Sequence, residues 1–240
     1  MTSAARRATG RRSYGRRSSA YQVAQEVIAG RIDGDVLLLL EHPPVVTLGR
    51  SSKEANLVAS PAFLASRGVE LFEVERGGDV TFHGPGQLVG YPIMDLKAAP
   101  HRKDLHWYLR QVEEAMIRAL ASWNVRGLRS EGYTGVWVGD AGNEPNVPRR
   151  KIASIGVHAR DWVTWHGFAI NISTDLSYFD LMIPCGISGV TMTSLEREIA
   201  PNGRPTVESF SDDIVHAFAA VFQLAPRLDT TESLPAIARA

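Results

Sequence analysis

Cys185 is the one cysteine of this 240-residue chain, and it stands in the run Pro184-Cys185-Gly186-Ile187-Ser188-Gly189. A single thiol forms no intramolecular disulfide and builds no thiolate metal cage. It is therefore either a small buried apolar residue, a common fate of free cysteine, or a nucleophile. The neighbours favour a turn over a core strand: Pro184 has no N–H for a ladder, and Gly186 marks close backbone approach. A thiol on a turn meets a carbonyl substrate with backbone N–H groups beside it that can receive an oxyanion.

A nucleophilic thiol needs a group that makes the thiolate, and a pocket. The stretch Arg76-Gly77-Gly78-Asp79-Val80-Thr81-Phe82-His83-Gly84-Pro85-Gly86-Gln87 mixes polar side chains with glycines that let backbone come close to a ligand. It has neither the Gly-x4-Gly-Lys-Ser/Thr spacing of a phosphate loop nor the Gly-x-Gly-x-x-Gly of a dinucleotide fold. It reads as a binding loop or as a plain turn. His83 is a candidate base for Cys185, and Lys151 a candidate cation. A histidine among glycines is often structural, and a lysine after Arg149-Arg150 often belongs to a solvated charge run. Yet Lys151 opens an apolar strand with Ile152, Ala153, Ile155 and Val157, which draws its stem inward. Spacing alone does not choose between His83 and Lys151.

The elements that must position these groups are of both kinds. Helical spacing of apolar residues is found from Tyr21 onward (Tyr21, Ala24, Ile28, Ile32), from Arg102 to Trp123, and from Thr206 to Gln223. Ser60-Pro61 opens a short helix by the cap-then-proline rule. Strands are expected at 36–40, 45–48, 69–75, 135–139, 151–158 and 168–172, with a polar loop at 140–150. This interleaving predicts an α/β or α+β fold, a mixed sheet flanked by helices. One catalytic domain is expected over 20–225, between a mobile Arg-rich arm at 1–19 and a loose tail at 226–240.

With 26 basic and 26 acidic residues the net charge is formally zero, so no global field draws the chain to nucleic acid or membrane. The longest aliphatic run, Val36 to Leu40, is too short to span a bilayer. The arginine pairs Arg6-Arg7, Arg11-Arg12 and Arg16-Arg17 lead into no apolar run, so no secretory signal is expected. A lone thiol then points to a reducing cytoplasm.

Five blocks now support a resemblance. They are Glu41-His42-Pro43-Pro44-Val45-Val46-Thr47-Leu48-Gly49-Arg50, the run from Arg76 to Pro92, Lys151-Ile152-Ala153-Ser154-Ile155-Gly156-Val157, His166-Gly167-Phe168-Ala169-Ile170-Asn171, and Ile183-Pro184-Cys185-Gly186-Ile187. In this order and spacing the chain from about Tyr21 to Leu195 resembles the lipoyl(octanoyl) transferases. It departs before Tyr21, where that family has an apolar strand leading into the first helix and this chain has its arginines. The resemblance implies the catalytic-domain fold of the biotin/lipoate protein ligases. It also implies an octanoyl-ACP:protein N-octanoyltransferase; no cofactor or metal is expected, and a monomer is. The donor would be octanoyl-acyl carrier protein. The acceptors would be lysines on lipoyl domains of 2-oxoacid dehydrogenase complexes and on the glycine-cleavage H protein. Carried over by position, Cys185 matches the acyl-thioester nucleophile and Lys151 the residue that lowers its pKa. Arg76, Gly77, Gly78, Asp79, Val80, Thr81, Phe82 and His83 match substrate-binding segments, as do Ser154, Ile155, Gly156, Gly167, Phe168 and Ala169.

Passing an acyl group from thioester to thiol to amide runs level and then downhill, so no ATP is needed, in keeping with the missing phosphate loop. The oxyanion donors are expected among the backbone N–H groups of 151–156 and of the Cys185-Gly186 turn, and Arg50, Arg149 and Arg150 are expected to steer acidic partners. Two rivals remain: an ATP-dependent lipoate or biotin ligase on the same fold, and a non-catalytic carrier- or lipid-binding module with Cys185 merely buried.

Overall fold

The structure, a computed structural model, describes residues 3–7, 19–139, 150–187 and 189–230. The strands are β1 (Ser3–Arg7), β2 (Val36–Leu40), β3 (Val45–Leu48), β4 (Glu70–Glu73), β5 (Val80–His83), β6 (Gln87–Ile93), β7 (Gly127–Leu128), β8 (Val136–Val138), β9 (Arg150–Arg160), β10 (Val163–Asn171), β11 (Thr191–Met192) and β12 (Pro226–Thr230). The helices are α1 (Ser19–Ile28), α2 (Pro61–Ser66), α3 (Leu105–Ala121), α4 (Leu195–Ile199) and α5 (Val207–Phe222). Among the described residues, a mixed nine-stranded sheet runs β12-β1-β2-β6-β10-β9-β8-β7 with β11 beside β9, and a second sheet runs β4-β3-β5.

Alternation along the central strands decides which helices cover which face. Leu37 and Leu39 of β2 point with Leu88 of β6 into a core under α3 and α5, built on Met116, Leu120, Phe210 and Phe218. Val36, Leu38 and Leu40 point the other way, with Val89, Tyr91 and Ile93, onto Val23 and Ala24 of α1. The helices begin where capping chemistry places them. Asp104 accepts from the N–H groups of His106 and Trp107, and Thr206 with Ser209 forms a reciprocal cap. α5 stops at Gln223, which adopts φ 57°.

Two expectations change at the ends of the chain. Residues 3–7, expected within a mobile arm, form β1, parallel to both β2 and β12; residues 226–230, expected in a loose tail, form β12. Each strand gives the other the ladder partner that its own neighbourhood in sequence lacks. The rest of the arm, the expected loop at 140–150 apart from Arg150, which opens β9, and the tail from 231 lie outside the described residues. Within the glycine-rich stretch, residues 80–83 form a strand instead of loop, because β3 offers Val45 to Leu48 as an antiparallel partner.

Candidate active site

Cys185 sits on a short 3-10 turn, Pro184–Gly186, with φ 56° and ψ 19°. That is the left-handed region, costly for a residue with a Cβ and met mainly where surrounding structure enforces it. The enforcing contacts lie directly beneath. Gly186, at φ 66°, rests on the carboxylate of Asp79, and a Cβ there would come within 2.5 Å of Oδ2. Asp79 accepts from Asn56 Nδ2 at 2.6 Å and from the N–H of Val80 at 2.7 Å. The Asn56 carbonyl in turn accepts from the N–H of Ile183 at 2.8 Å. The turn is thus held from the small sheet and from the 54–56 segment together.

Lys151 enters from β9. Pairing of β8 with β9 is irregular: Val136 faces Ala153 and Trp137 faces Lys151, a bulge of the kind that re-aims a side chain. The lysine is 2% exposed, and its Nζ lies 3.3 Å from Cys185 Sγ and 5.2 Å from the centre of the Trp137 ring. Ser154 Oγ stands 3.6 Å from the same sulfur. The Lys151 carbonyl accepts from the N–H of Thr193, which ties β9 to the segment after the cysteine turn.

These groups open into a cavity of about 410 Å³. Its walls include Arg76, Gly77, Gly78, Asp79, Thr81 and His83, together with Ser154, Ile155, Gly156, Gly167, Phe168 and Ala169. Val80 and Phe82 do not line it. In β5 alternate residues face opposite ways, so both turn into the core of the small sheet with Val46 and Phe179. The cavity also takes Tyr91, Leu109, Tyr133 and His166, which the motif blocks did not single out as site residues. Tyr91 and His166 lie inside quoted blocks, and no pattern of residue types marked them out there. Leu109 and Tyr133 come from α3 and the loop before β8, and only packing brings them in.

His83 is held in a chain of hydrogen bonds through Nδ1. Its Nδ1 lies 2.8 Å from Gln87 Oε1; Gln87 Nε2 donates to Asn171 Oδ1, and Asn171 Nδ2 donates to the Thr193 carbonyl. A carbonyl only accepts, so the chain's polarity is set, and Nδ1 of His83 must be the protonated nitrogen. Burial, aided by the facing His42, holds the imidazole well below its ordinary pKa. His166 is buried too, and desolvation with the nearby Arg76 guanidinium lowers it to about 4 against an opposing pull from Glu75. Arg76 itself is fastened to Thr47, donating to its carbonyl at 2.7 Å and to Oγ1 at 2.9 Å.

Residues 20–219 match the lipoyl protein ligase A/B catalytic domain. The chain belongs to this family. Among its members it is 50% identical over 206 residues to the octanoyltransferase of Acidobacterium capsulatum, an alignment that covers 84% of this chain and 82% of that one. It is 48% identical over 210 residues to the octanoyltransferase of Koribacter versatilis, covering 84% and 80%. Solved structures share the fold at low identity. The bipartite lipoate protein ligase of Thermoplasma acidophilum aligns with a TM-score of 0.73 at 15% identity, over 99% of this chain and 89% of that one. Lipoate-protein ligase A solved with ATP gives 0.73 at 15% identity, over 100% and 92%. The mixed sheet flanked by helices is therefore that of the lipoyl protein ligase family. Within this family member, Arg150 is not a free steering charge: it forms a two-pronged ion pair with Glu198, at 2.9 and 2.8 Å.

Proposed function

We propose that the chain is a cytoplasmic acyltransferase that moves an octanoyl group from octanoyl-acyl carrier protein, through a thioester on Cys185, to the target lysine of lipoyl domains. These include the lipoyl domains of 2-oxoacid dehydrogenase complexes and the glycine-cleavage H protein. The observation that carries this reading is the 3.3 Å contact between Lys151 Nζ and Cys185 Sγ at the wall of the cavity. Relatives at about half identity that bear the name octanoyltransferase support the acyl group and the reaction. Among the described residues no helix is long and apolar enough to cross a membrane.

An ordinary cysteine is roughly 3% thiolate at pH 7. An ammonium in contact with the sulfur favours the anion, and here it is held there by burial of the lysine stem. The thiolate attacks the donor thioester carbonyl, and the carrier's thiolate leaves, taking a proton from Lys151. Lys151, now neutral, faces a thioester instead of an anion. It takes one proton from the incoming lysine ammonium, whose amine attacks the thioester. The amide forms as Cys185 leaves as thiolate, and the second amine proton passes to water. One lysine thus serves both halves of a ping-pong cycle. Val89, Leu109, Ile155 and Phe168 give the cavity an apolar side for the acyl chain.

Intact-protein mass measurement after mixing with octanoyl-acyl carrier protein, without ATP, tests the reading. A gain of one octanoyl group that Cys185→Ala abolishes is expected. An absolute need for ATP, with Cys185→Ala still active, would give the ligase reading instead.

A further inference from the structure

One buried carboxylate takes no part in the chemistry above. Glu113, in the middle of α3, has a fully buried side chain. Its Oε1 accepts from the N–H of Gly135 at 3.0 Å. Its Oε2 faces Arg110 at 2.6 Å and Arg129 at 3.3 Å, both side chains about half-exposed. Burying a carboxylate on a helix otherwise packed with apolar residues is costly unless each oxygen is answered, and here the answers lead to one place.

That place is the wall over Lys151. Gly135 adopts φ 130°, and a Cβ built on it would come within 2.5 Å of the Ala153 carbonyl, 2.9 Å of Lys151 Cε and 3.5 Å of Lys151 Nζ. The bare glycine backbone therefore lies against the end of the lysine stem. On the next residues the chain forms β8, whose Trp137 presents its ring 5.2 Å from the ammonium. Just before Gly135, Tyr133 and Thr134 line the cavity. A shift of this segment frees the lysine to swing away from the sulfur.

Resting on the reading of Lys151 and Cys185 given above, we propose that Glu113 and Gly135 are positioning residues for acyl transfer. The buried carboxylate of α3 anchors the Gly135 N–H, and the glycine backbone so anchored confines the Lys151 ammonium to Cys185. Both act through Lys151.

Cys185 is the chain's one thiol, so its alkylation by iodoacetamide reports on this site alone. The full chain and its Glu113→Leu, Glu113→Gln and Gly135→Ala variants are compared from acidic to alkaline pH, with thermal melts alongside. In Glu113→Leu and Gly135→Ala the rate at neutral pH is expected to fall roughly tenfold, the effect of moving the profile up by about one pH unit, and to rejoin wild type at alkaline pH. Glu113→Gln keeps an acceptor for Gly135, and its arginines can turn to water, so it is expected to recover most of the wild-type profile. Folded variants with an unchanged profile overturn the proposal, and so does slowing by the same factor at every pH, which marks altered access. If Glu113→Leu does not fold, Gly135→Ala, which leaves α3 intact, decides in its place. Octanoyl transfer to the wild-type chain is measured separately. Its failure would remove the acyltransferase reading while the alkylation profile still decides the positioning.

Discussion

Lys151 Nζ stands 3.3 Å from Cys185 Sγ, although 34 residues separate them and they ride on different kinds of element. The lysine is fixed in a bulged strand, and the cysteine on a left-handed turn pinned by Asp79 and Asn56. The contact depends on both supports, and each can be perturbed by itself.

Lys151→Met removes the ammonium and keeps the bulk of the stem. Thioester formation at neutral pH is expected to drop roughly 100-fold, the low end of what a positioned proton-transfer group contributes. It should recover in part at alkaline pH, where the thiol ionises unaided. Time-resolved intact mass measures it, and wild-type rates at neutral pH would rule the role out.

Gly186→Ala places a methyl group against Asp79 Oδ2 at a positive φ. The left-handed backbone alone costs on the order of 1–2 kcal/mol for an L residue. The variant should lose about that much stability by urea denaturation and lose acylation disproportionately, since the turn must tilt. Equal stability and full acylation would mean that the turn is not held from below.

Acid should weaken the fold through His166. Its native pKa is lowered to about 4, against about 6.5 in the unfolded chain. Above pH 6.5 neither state binds a proton there, and the contribution is constant. Between 6.5 and about 4 the unfolded state binds it and the native state does not, so stability falls as pH falls, by up to about 1.4 kcal/mol per pH unit. His166→Asn, which tolerates the residue's φ of 56°, should flatten that part of the stability–pH curve. A slope equal to wild type would place the titration elsewhere.

Asn171→Leu takes the donor from the Thr193 carbonyl and one acceptor from Gln87 Nε2, which keeps its bond to the Phe82 carbonyl. Each buried group left unsatisfied costs about 1–3 kcal/mol. Thr193 also donates its N–H to the Lys151 carbonyl, so activity should fall along with stability. Chemical denaturation showing a loss under about 0.5 kcal/mol, the range of an indifferent surface change, would contradict the chain of hydrogen bonds.

Of the arginines expected to steer acidic partners, Arg150 is engaged with Glu198 and Arg149 lies outside the described residues, so the expectation is tested at Arg50. That pair is partly exposed, so Arg150→Ala should cost no more than about 1 kcal/mol. Raising salt should lower kcat/KM, and Arg50→Ala should blunt that dependence. An enzyme indifferent to salt would sink the steering idea.

Much of this protein could be read without a structure. The apolar period of α3 and α5 follows from the helix repeat, and the short apolar run of β2 reads as a buried strand, signals that each segment expresses alone. The thiol on a Pro-Cys-Gly turn and the glycine-rich stretch were legible in the residues themselves, and most of the cavity's wall residues came from the resemblance of the five blocks to a known family. Tertiary structure decided the rest. Val80 and Phe82 turned into the small core because β3 paired with residues that looked like loop. β1 and β12 formed at opposite ends of the chain because each is the other's ladder. Tertiary contacts also decided the surroundings of the two candidates: Gln87 and Asn171 hold Nδ1 of His83, and a bulge against Val136 and Trp137 aims Lys151 at the sulfur. Local sequence sets what a segment can form. Which two side chains meet depends on register and packing between segments far apart, and no local pattern contains that.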